Sequence, residues 1–136
     1  MTYAVSSALQ AAIYTALGAD PRLASLVGTA IYDALPKGQV PDAYVSIGDE
    51  RVRDASDQTG NGADHRFDVI VRTTKPGFAE TKEIAAAISD ALHNAQLPLA
   101  RGHLVFMRFE RAEARRIEAN ATREVVMRFR ARVDDQ

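Results

Sequence analysis

The side chains that could perform acid–base chemistry or bind a metal are scattered along the chain. Its three histidines lie in three separate predicted elements without a His-x-x-x-His spacing, and they are His65, His93 and His103. Histidines bind one metal ion only when their spacing or a shared surface brings the imidazoles together. We therefore predict that each histidine is a surface or helix-capping residue.

The acidic and hydroxyl residues also lack the arrangement of a catalytic or metal site. Asp54 and Asp57, with Asp49 and Glu50 before them, do not follow the Asp-x-Asp-x-Asp-Gly order of a calcium loop. Ser56 has no Gly-x-Ser-x-Gly sequence around it, and the chain contains no cysteine. These observations predict that the protein is not an enzyme and has no metal ion or cofactor.

The segment from residue 54 to residue 62 is polar and has no large apolar residue. Its Gly60-Asn-Gly62 sequence matches no phosphate-binding glycine motif, so we predict a flexible loop between two antiparallel strands. Such a loop can become ordered against another protein. The residues predicted to contact a partner are Asp54, Ser56, Asp57, Gln58, Thr59, Gly60 and Asn61.

The length and composition indicate one globular unit. A chain of 136 residues has the usual size of a single domain, so residues 1–136 are predicted to form one. The chain has no run of 18 apolar residues, and the segment before Ala19 lacks the basic residues of a secretory signal. The protein is therefore expected to be soluble and intracellular.

Apolar residues at three- and four-residue spacing predict helices in two parts of the chain. One stripe begins at Val5 and ends before Gly18, and Asp20–Pro21 then begins a short second helix. A third stripe runs from Ile84 to Leu92. Two to three helices are therefore expected.

Elsewhere the apolar residues alternate with polar ones, as they do in strands. The predicted strands begin near Ala43, before Phe67, near His103 and at Thr122, and Ile31–Tyr32 can form only a brief one. The sequence therefore predicts an α+β fold, with a mainly antiparallel sheet of about four strands and two to three helices on one face.

The last two strands are predicted to form a hairpin with a turn near Ala119–Asn120. Their alternation places Phe109 opposite Phe129 and Glu110 opposite Arg128. The side chains predicted to share one face of the hairpin are Val105, Met107, Phe109, Val125, Met127, Phe129, Ala131 and Val133.

The opposite face of the predicted sheet has no helix to cover it. Apolar residues are predicted to lie there beside arginines: Ile70, Leu104, Phe106 and Val126, with Arg108, Arg128, Arg130 and Arg132. An apolar patch surrounded by arginine is typical of an association surface. We predict a subunit interface formed by Ile70, Phe106, Arg108, Val126, Arg128 and Arg130. The acidic residues predicted to pair with it from a neighbouring subunit are Asp49, Glu50 and Asp54.

The charges are segregated along the chain, although the net charge is only −1. Residues 101–132 contain nine arginines and four glutamates, whereas residues 1–100 contain eight basic and twelve acidic residues. Three interpretations of the arginine-rich strands remain open: a solvated and neutralised face, contacts to an acidic protein, and phosphate binding. The glutamates that would neutralise the face are Glu110, Glu113, Glu118 and Glu124.

Several segments, taken in order, resemble one family. They are Leu9-Gln-Ala-Ala-Ile-Tyr14, Asp20-Pro-Arg-Leu-Ala-Ser-Leu-Val-Gly28, Ile31-Tyr-Asp-Ala-Leu-Pro36, Pro41-Asp-Ala-Tyr-Val-Ser-Ile-Gly48, Thr59-Gly-Asn-Gly-Ala-Asp-His65, the helix from Ala79 to Leu92, and Arg128-Phe-Arg130. Over essentially the whole chain they resemble the tail terminator, or tail completion, proteins of long-tailed phages and gene transfer agents.

This resemblance implies a structural role without catalysis or cofactor. Proteins of this family form a ring, commonly a hexamer, which caps the finished tail tube and joins it to the stopper or connector of the head. The implied partners are further copies of the chain, the tail tube protein and the connector, with DNA passing through the ring without sequence-specific binding. The implied location is the head-proximal end of a virion or phage-like tail, assembled in the host cytoplasm without membrane contact.

Three alternatives remain open. The chain could be another non-catalytic tail protein, such as a tail tube subunit. A small α+β enzyme or ligand-binding domain would show a deep apolar pocket with converging polar groups. A nucleic-acid-binding adaptor that uses the arginine strands would show salt-sensitive affinity for DNA.

Overall fold

A computed structural model of the protein describes residues 3–58, 60–118 and 121–135. In these ranges three helices pack on one face of a five-stranded sheet, which confirms the predicted α+β class. The helices are α1 (Ser6–Ala19), α2 (Pro21–Val27) and α3 (Ala79–Leu92). The strands are β1 (Ile31–Tyr32), β2 (Ala43–Asp54), β3 (Gly62–Thr73), β4 (His103–Ile117) and β5 (Thr122–Asp134).

The sheet has the strand order β1-β2-β3-β5-β4. It has five strands rather than about four because the brief β1 joins it, in parallel with β2, while the other neighbouring strands are antiparallel. The C-terminal strand β5 lies between β3 and β4, so β4 forms one edge of the sheet. The predicted turn near Ala119–Asn120 lies outside the described residues.

α2 begins and ends where the sequence predicts, whereas α1 continues through Gly18, its predicted end, to Ala19. The stripe of α1 buries Leu9, Ile13 and Leu17 against the sheet. At the start of α2, the Asp20 carboxylate accepts a hydrogen bond of 3.0 Å from the backbone N–H of Arg22, which satisfies one of the free donors of a helix N-terminus. None of the described helices is long and apolar enough to cross a membrane.

Three phenylalanines form the centre of the core. Phe129 on β5 is fully buried, and its ring stacks on Phe67 of β3 at 5.7 Å between centroids. Phe109 of β4 lies opposite Phe129, as predicted, and contacts it edge-on at 5.9 Å. These aromatic pairs tie β3, β5 and β4 together beneath the helices.

A first bulge in β4 changes part of the predicted register. Val105 is the extra residue, since Leu104 pairs with Val133 and Phe106 pairs with Arg132. A bulge sets two residues against one on the partner strand, so the faces of the residues before it are reversed. Leu104 is therefore buried on the helix-covered face, and its predicted place on the uncovered face is wrong; Val105 is exposed rather than in the core.

A second bulge, at Glu110, changes the predicted register in the other half of the hairpin. Arg111, rather than Glu110, pairs with Arg128, so the predicted Glu110–Arg128 pair is wrong. Beyond the bulge, Ala112 and Ala114 lie on the helix-covered side of β4. The residues of β4 from Arg108 to Arg116 are exposed, so the helices do not fully cover this edge strand.

Candidate functional site

The uncovered face of the sheet arranges its charges in rows that cross the strands. In one row four arginines lie side by side, one from each long strand: Arg51, Arg66, Arg130 and Arg108. Like charges directly opposite each other destabilise a sheet. Carboxylates from adjoining positions must therefore offset the repulsion within this row.

Ion pairs between strands supply that compensation. The pairs on this face are Arg66–Glu110 (3.2 Å), Arg128–Asp68 (3.2 Å) and Arg130–Asp64 (3.0 Å). Their side chains are between 14% and 35% exposed, so water screens them less than a pair on the open surface. The interpretation of a neutralised face is supported for these arginines. Glu110 is one of the glutamates predicted to neutralise them, but the other two carboxylates are aspartates of β3.

The predicted interface residues share this face but do not form one patch. Phe106 is half-buried, and the guanidinium carbons of Arg108 and Arg130 lie 4.2 and 5.4 Å from its ring centroid. Cation–π contacts of this kind stabilise by about 0.5–1 kcal/mol at exposed sites. Ile70 and Val126 are also half-buried and lie opposite each other on β3 and β5. Phe106 lies opposite Arg132 of β5, six residues along that strand from Val126, so the apolar residues form two separate sites with Arg128 and Arg130 between them.

A buried carboxylate links the strands at the other end of the face. The Glu124 side chain is 1% exposed and lies 2.8 Å from the Arg72 guanidinium and 2.7 Å from that of Arg115. Burial raises the pKa of the Glu124 carboxyl, but the hydrogen bonds from Arg115 and Arg72 outweigh it and hold the pKa below its ordinary value. Glu124 is therefore ionised at neutral pH.

A second polar cluster lies beneath the start of α1. The Nδ1 atom of His65 lies 3.0 Å from the Glu50 carboxylate, which also accepts hydrogen bonds from the hydroxyls of Tyr3 (2.8 Å) and Ser6 (2.9 Å). His65 is fully buried, so its predicted surface or capping role is wrong. The alternation of His65 with Phe67 could have indicated this, since both occupy core-facing positions.

The Glu50 carboxylate is already engaged within the subunit. Burial raises its pKa, but the hydrogen bonds from His65, Tyr3 and Ser6 outweigh that effect, and the pKa lies below its ordinary value. Glu50 therefore has partners within its own subunit, and its pairing with an arginine of a neighbour stays a prediction. The cluster ties the segment before α1 to the sheet.

This cluster lacks the connections of a catalytic triad. The Ser6 hydroxyl donates to Glu50 rather than to His65, and the Nε2 atom of His65 is buried without a hydrogen-bond partner among the described residues. A nucleophile must instead bond to its base. Within residues 3–58, 60–118 and 121–135, no group of three or more histidine, aspartate or glutamate side chains could hold a metal ion.

The other two histidines agree better with the prediction. His93 follows the last residue of α3, and its Nδ1 atom accepts a 3.0 Å hydrogen bond from the backbone N–H of Phe109. It therefore caps the helix and fixes it to β4. His103 is exposed at the start of β4.

The loop between β2 and β3 closes on itself through short hydrogen bonds. The Ser56 hydroxyl lies 2.6 Å from the Asp54 carboxylate, and the Asp57 N–H donates to the Gly60 carbonyl at 3.0 Å. It joins two antiparallel strands, as predicted. Thr59 lies outside the described residues, and the flexibility of the loop and its contact with a partner remain predictions.

An open groove of about 810 Å³ lies between α1 and β1. Tyr3, Tyr14 and Tyr32 contribute to its lining, and Asp33 accepts a hydrogen bond from Gln10 within it. An active site brings a nucleophile, a base and an orienting group together. The described lining of this groove has one carboxylate and no such set, which does not favour the enzyme alternative.

Comparison with known proteins agrees with the family resemblance of the ordered segments. A family model described as tail completion protein gp17 matches residues 11–134. A chain in a solved structure described as the virion of a native gene transfer agent particle is 55% identical, and the match covers 98% of this chain and 99% of that chain with a TM-score of 0.93. Among curated proteins, no sequence matches this chain.

Proposed function

The chain belongs to the tail completion protein gp17 family, and from this membership we propose that it forms a ring, of six subunits, which caps the tail tube and joins it to the head connector. It is a structural tail protein and a component of a phage-like particle. Its proposed partners are further copies of itself, the tail tube protein and the connector. We propose no catalytic activity and no cofactor.

One observation carries this proposal: the likeness to a chain of the gene transfer agent particle extends over nearly the full length of both chains. A shared domain alone would leave the role open, because one fold supports many functions. Here the match covers 98% of this chain and 99% of that chain with 55% identity. The lack of a catalytic triad at His65, described above, agrees with a structural role.

The ion pairs of the uncovered face indicate whether its arginines are available to bind DNA. Arg66, Arg128 and Arg130 already have carboxylate partners within the sheet. Phosphate binding would have to displace those carboxylates, so this face does not favour DNA as its ligand. We propose that DNA passes through the ring without sequence-specific contact. Weak binding of duplex DNA to the purified protein, with no preference for sequence, is expected.

We propose that the uncovered face near β4 contributes to contact between subunits. The proposed residues are those predicted from the sequence: Ile70, Phe106, Arg108, Val126, Arg128 and Arg130. Phe106 lies at the β4 edge of this face, and Arg108, beside its ring, is positioned to meet an acidic side chain of another copy.

Replacing Phe106 by Asp tests this surface. Burying a large apolar side chain contributes about 1.5–3 kcal/mol, so its loss should reduce incorporation into particles by roughly tenfold or more. The measurement is the amount of the protein in purified particles, with thermal melting to show that the variant folds. Ala24→Asp places the same charge on an exposed position of α2 and should incorporate normally. A folded Phe106→Asp variant that incorporates like the parent would remove this face from the interface.

We also propose that the loop from Asp54 to Gly62 contacts the tail tube or connector. Arg132 and the backbone N–H of Asp135 hold the two ends of this loop through the Ala55 (2.7 Å) and Asn61 (2.9 Å) carbonyls. The tip between them has short hydrogen bonds within the loop and buries no large apolar side chain, so the tip is expected to open readily in the isolated subunit. Hydrogen–deuterium exchange should show fast exchange of loop amides in the purified protein and strong protection in the particle. Equal exchange rates in both states would contradict a partner contact at this loop.

A further inference from the structure

A shallow apolar groove runs between α3 and the exposed part of β4. Its volume is about 300 Å³, and Lys82 lies on the α3 side of its lining. Small side chains from both elements form most of the walls: Ala85, Ala86 and Ser89 from α3, with Ala112 and Ala114 from β4. Phe109 closes one end and is 38% exposed, although its ring contacts the core. Small residues on both walls allow another backbone to approach closely. The groove therefore has room for a helix that presents small, uncharged side chains.

The groove lies beside an open strand edge. β4 pairs with β5 on one side only, and no other described strand pairs with its outer side. Long exposed edges are sites of pairing with another chain unless they are covered. A neighbour that covered this edge would contact Phe106 and Arg108 on one face of β4 and the groove on the other.

Helix α1 has the surface that such a groove requires. It contains no charged residue from Ser6 to Ala19, even though Ala11, Tyr14 and Thr15 are exposed. A surface helix usually has charged residues on its solvent side. The centre of a protein interface, in contrast, is poor in charge and rich in tyrosine. The exposed side of α1 is therefore typical of an interface.

The two surfaces lie at opposite edges of the molecule, beside strands of opposite net charge. α1 packs beside β1 at one edge of the sheet, and the groove lies beside β4 at the other. The segment from Ile31 to Asp54, beside α1, has five acidic and three basic residues, whereas β4 has four arginines and two glutamates. The formal charges of these two segments are −2 and +2, which favours an approach of one strand edge to the other. α3, the other wall of the groove, has three acidic residues and one lysine, so the attraction comes from the strands alone.

From these observations we propose that α1 of one copy docks in the groove between α3 and β4 of the next copy. The two surfaces differ, so each copy uses one at each edge, and the contact is head to tail. Such contacts close into a ring when the rotation between copies permits. The inference rests on the proposed ring and names the two surfaces that form it.

Cysteine crosslinking tests the contact, because the parent chain has no cysteine and gives no background. Two single variants, Ala11→Cys on α1 and Ala86→Cys on α3, are produced together in cells that make particles; both positions are exposed. A short bismaleimide added to purified particles should give covalent dimers that contain one of each variant. The matched control pairs Ala24→Cys, on exposed α2, with Ala86→Cys and should give no dimer.

The outcomes separate this inference from the proposed function. Particles that contain both variants but yield no Ala11–Ala86 dimer would overturn the inference and leave the ring intact. Complete tails that lack the parent protein altogether would overturn the proposed function itself. A chain with both cysteines should give a ladder of crosslinked oligomers whose largest member has the number of subunits in the ring. Oligomers that continue to larger sizes without a limit would contradict a closed ring.

Discussion

Replacing Glu124 by Gln is expected to lower the free energy of unfolding by about 2–4 kcal/mol at neutral pH. The side chain is almost fully buried, and its carboxylate joins Arg72 of β3 to Arg115 of β4 across the central strand. Glutamine keeps the size but loses the charge, and its amide nitrogen would face guanidinium donors. Thermal melting should show a decrease of roughly 3–5 °C for each kcal/mol in a domain of this size.

Glu118→Gln is the matched control for this experiment. Glu118 also pairs with an arginine, Arg116, at 2.8 Å, but the two side chains are 78% and 56% exposed. Exposed ion pairs contribute about 0–1 kcal/mol, so the control should melt close to the parent. Equal losses of stability in the two variants would show that the burial of Glu124 does not determine how much it stabilises the fold.

The effect of Glu124→Gln should depend on pH with a definite sign. The pKa of Glu124 is lower in the folded protein than in the unfolded chain, because Arg115 and Arg72 outweigh the opposing effect of burial. Its stabilisation is therefore fully present above the unfolded pKa, about 4.3, and is lost as the pH falls through the lower folded pKa. The difference between parent and variant should shrink in acid; a difference that grew in acid would contradict this assignment.

The alternation of side chains was sufficient to predict the long strands and the class of the fold. It failed on β4, where Leu104, Val105, Phe106 and Met107 form an unbroken apolar run. In such a run, either set of alternate residues would bury two apolar side chains, so the pattern cannot show which residue forms the bulge. The structure resolves this ambiguity at Val105, because Leu104 and Met107 both reach the core.

The charge pattern was only partly predictable for a similar reason. The sequence indicates that arginines share one face of the last hairpin. It does not indicate that Asp64 and Asp68 neutralise Arg130 and Arg128, because these pairs depend on β5 lying next to β3. That neighbour relation is set by the strand order of the sheet and not by local sequence. The groove beside β4 was missed because it depends on where α3 lies.

Gly102, at the start of β4, is expected to be among the least replaceable positions of the chain. Its φ is +77°, which L side chains rarely adopt, and a Cβ there would lie 2.6 Å from the Asp134 carbonyl oxygen and 2.9 Å from Val5. The left-handed backbone costs an alanine about 1–2 kcal/mol, and overpacking adds typically 1–3 kcal/mol. Gly102→Ala should therefore lower the free energy of unfolding by about 2–5 kcal/mol.

Gly77→Ala separates the two causes, because Gly77 has the same φ of +77° but no described atom within 4 Å of the added Cβ. It should show the backbone cost alone, about 1–2 kcal/mol, in the same urea or thermal denaturation. The excess loss at Gly102 then measures how tightly the chain before β4 is held between the start of α1 and the end of β5. If the two variants lose equal stability, that packing is loose. If the excess is found, α1 and β4 are rigidly joined within one subunit, as a head-to-tail contact that uses both elements requires.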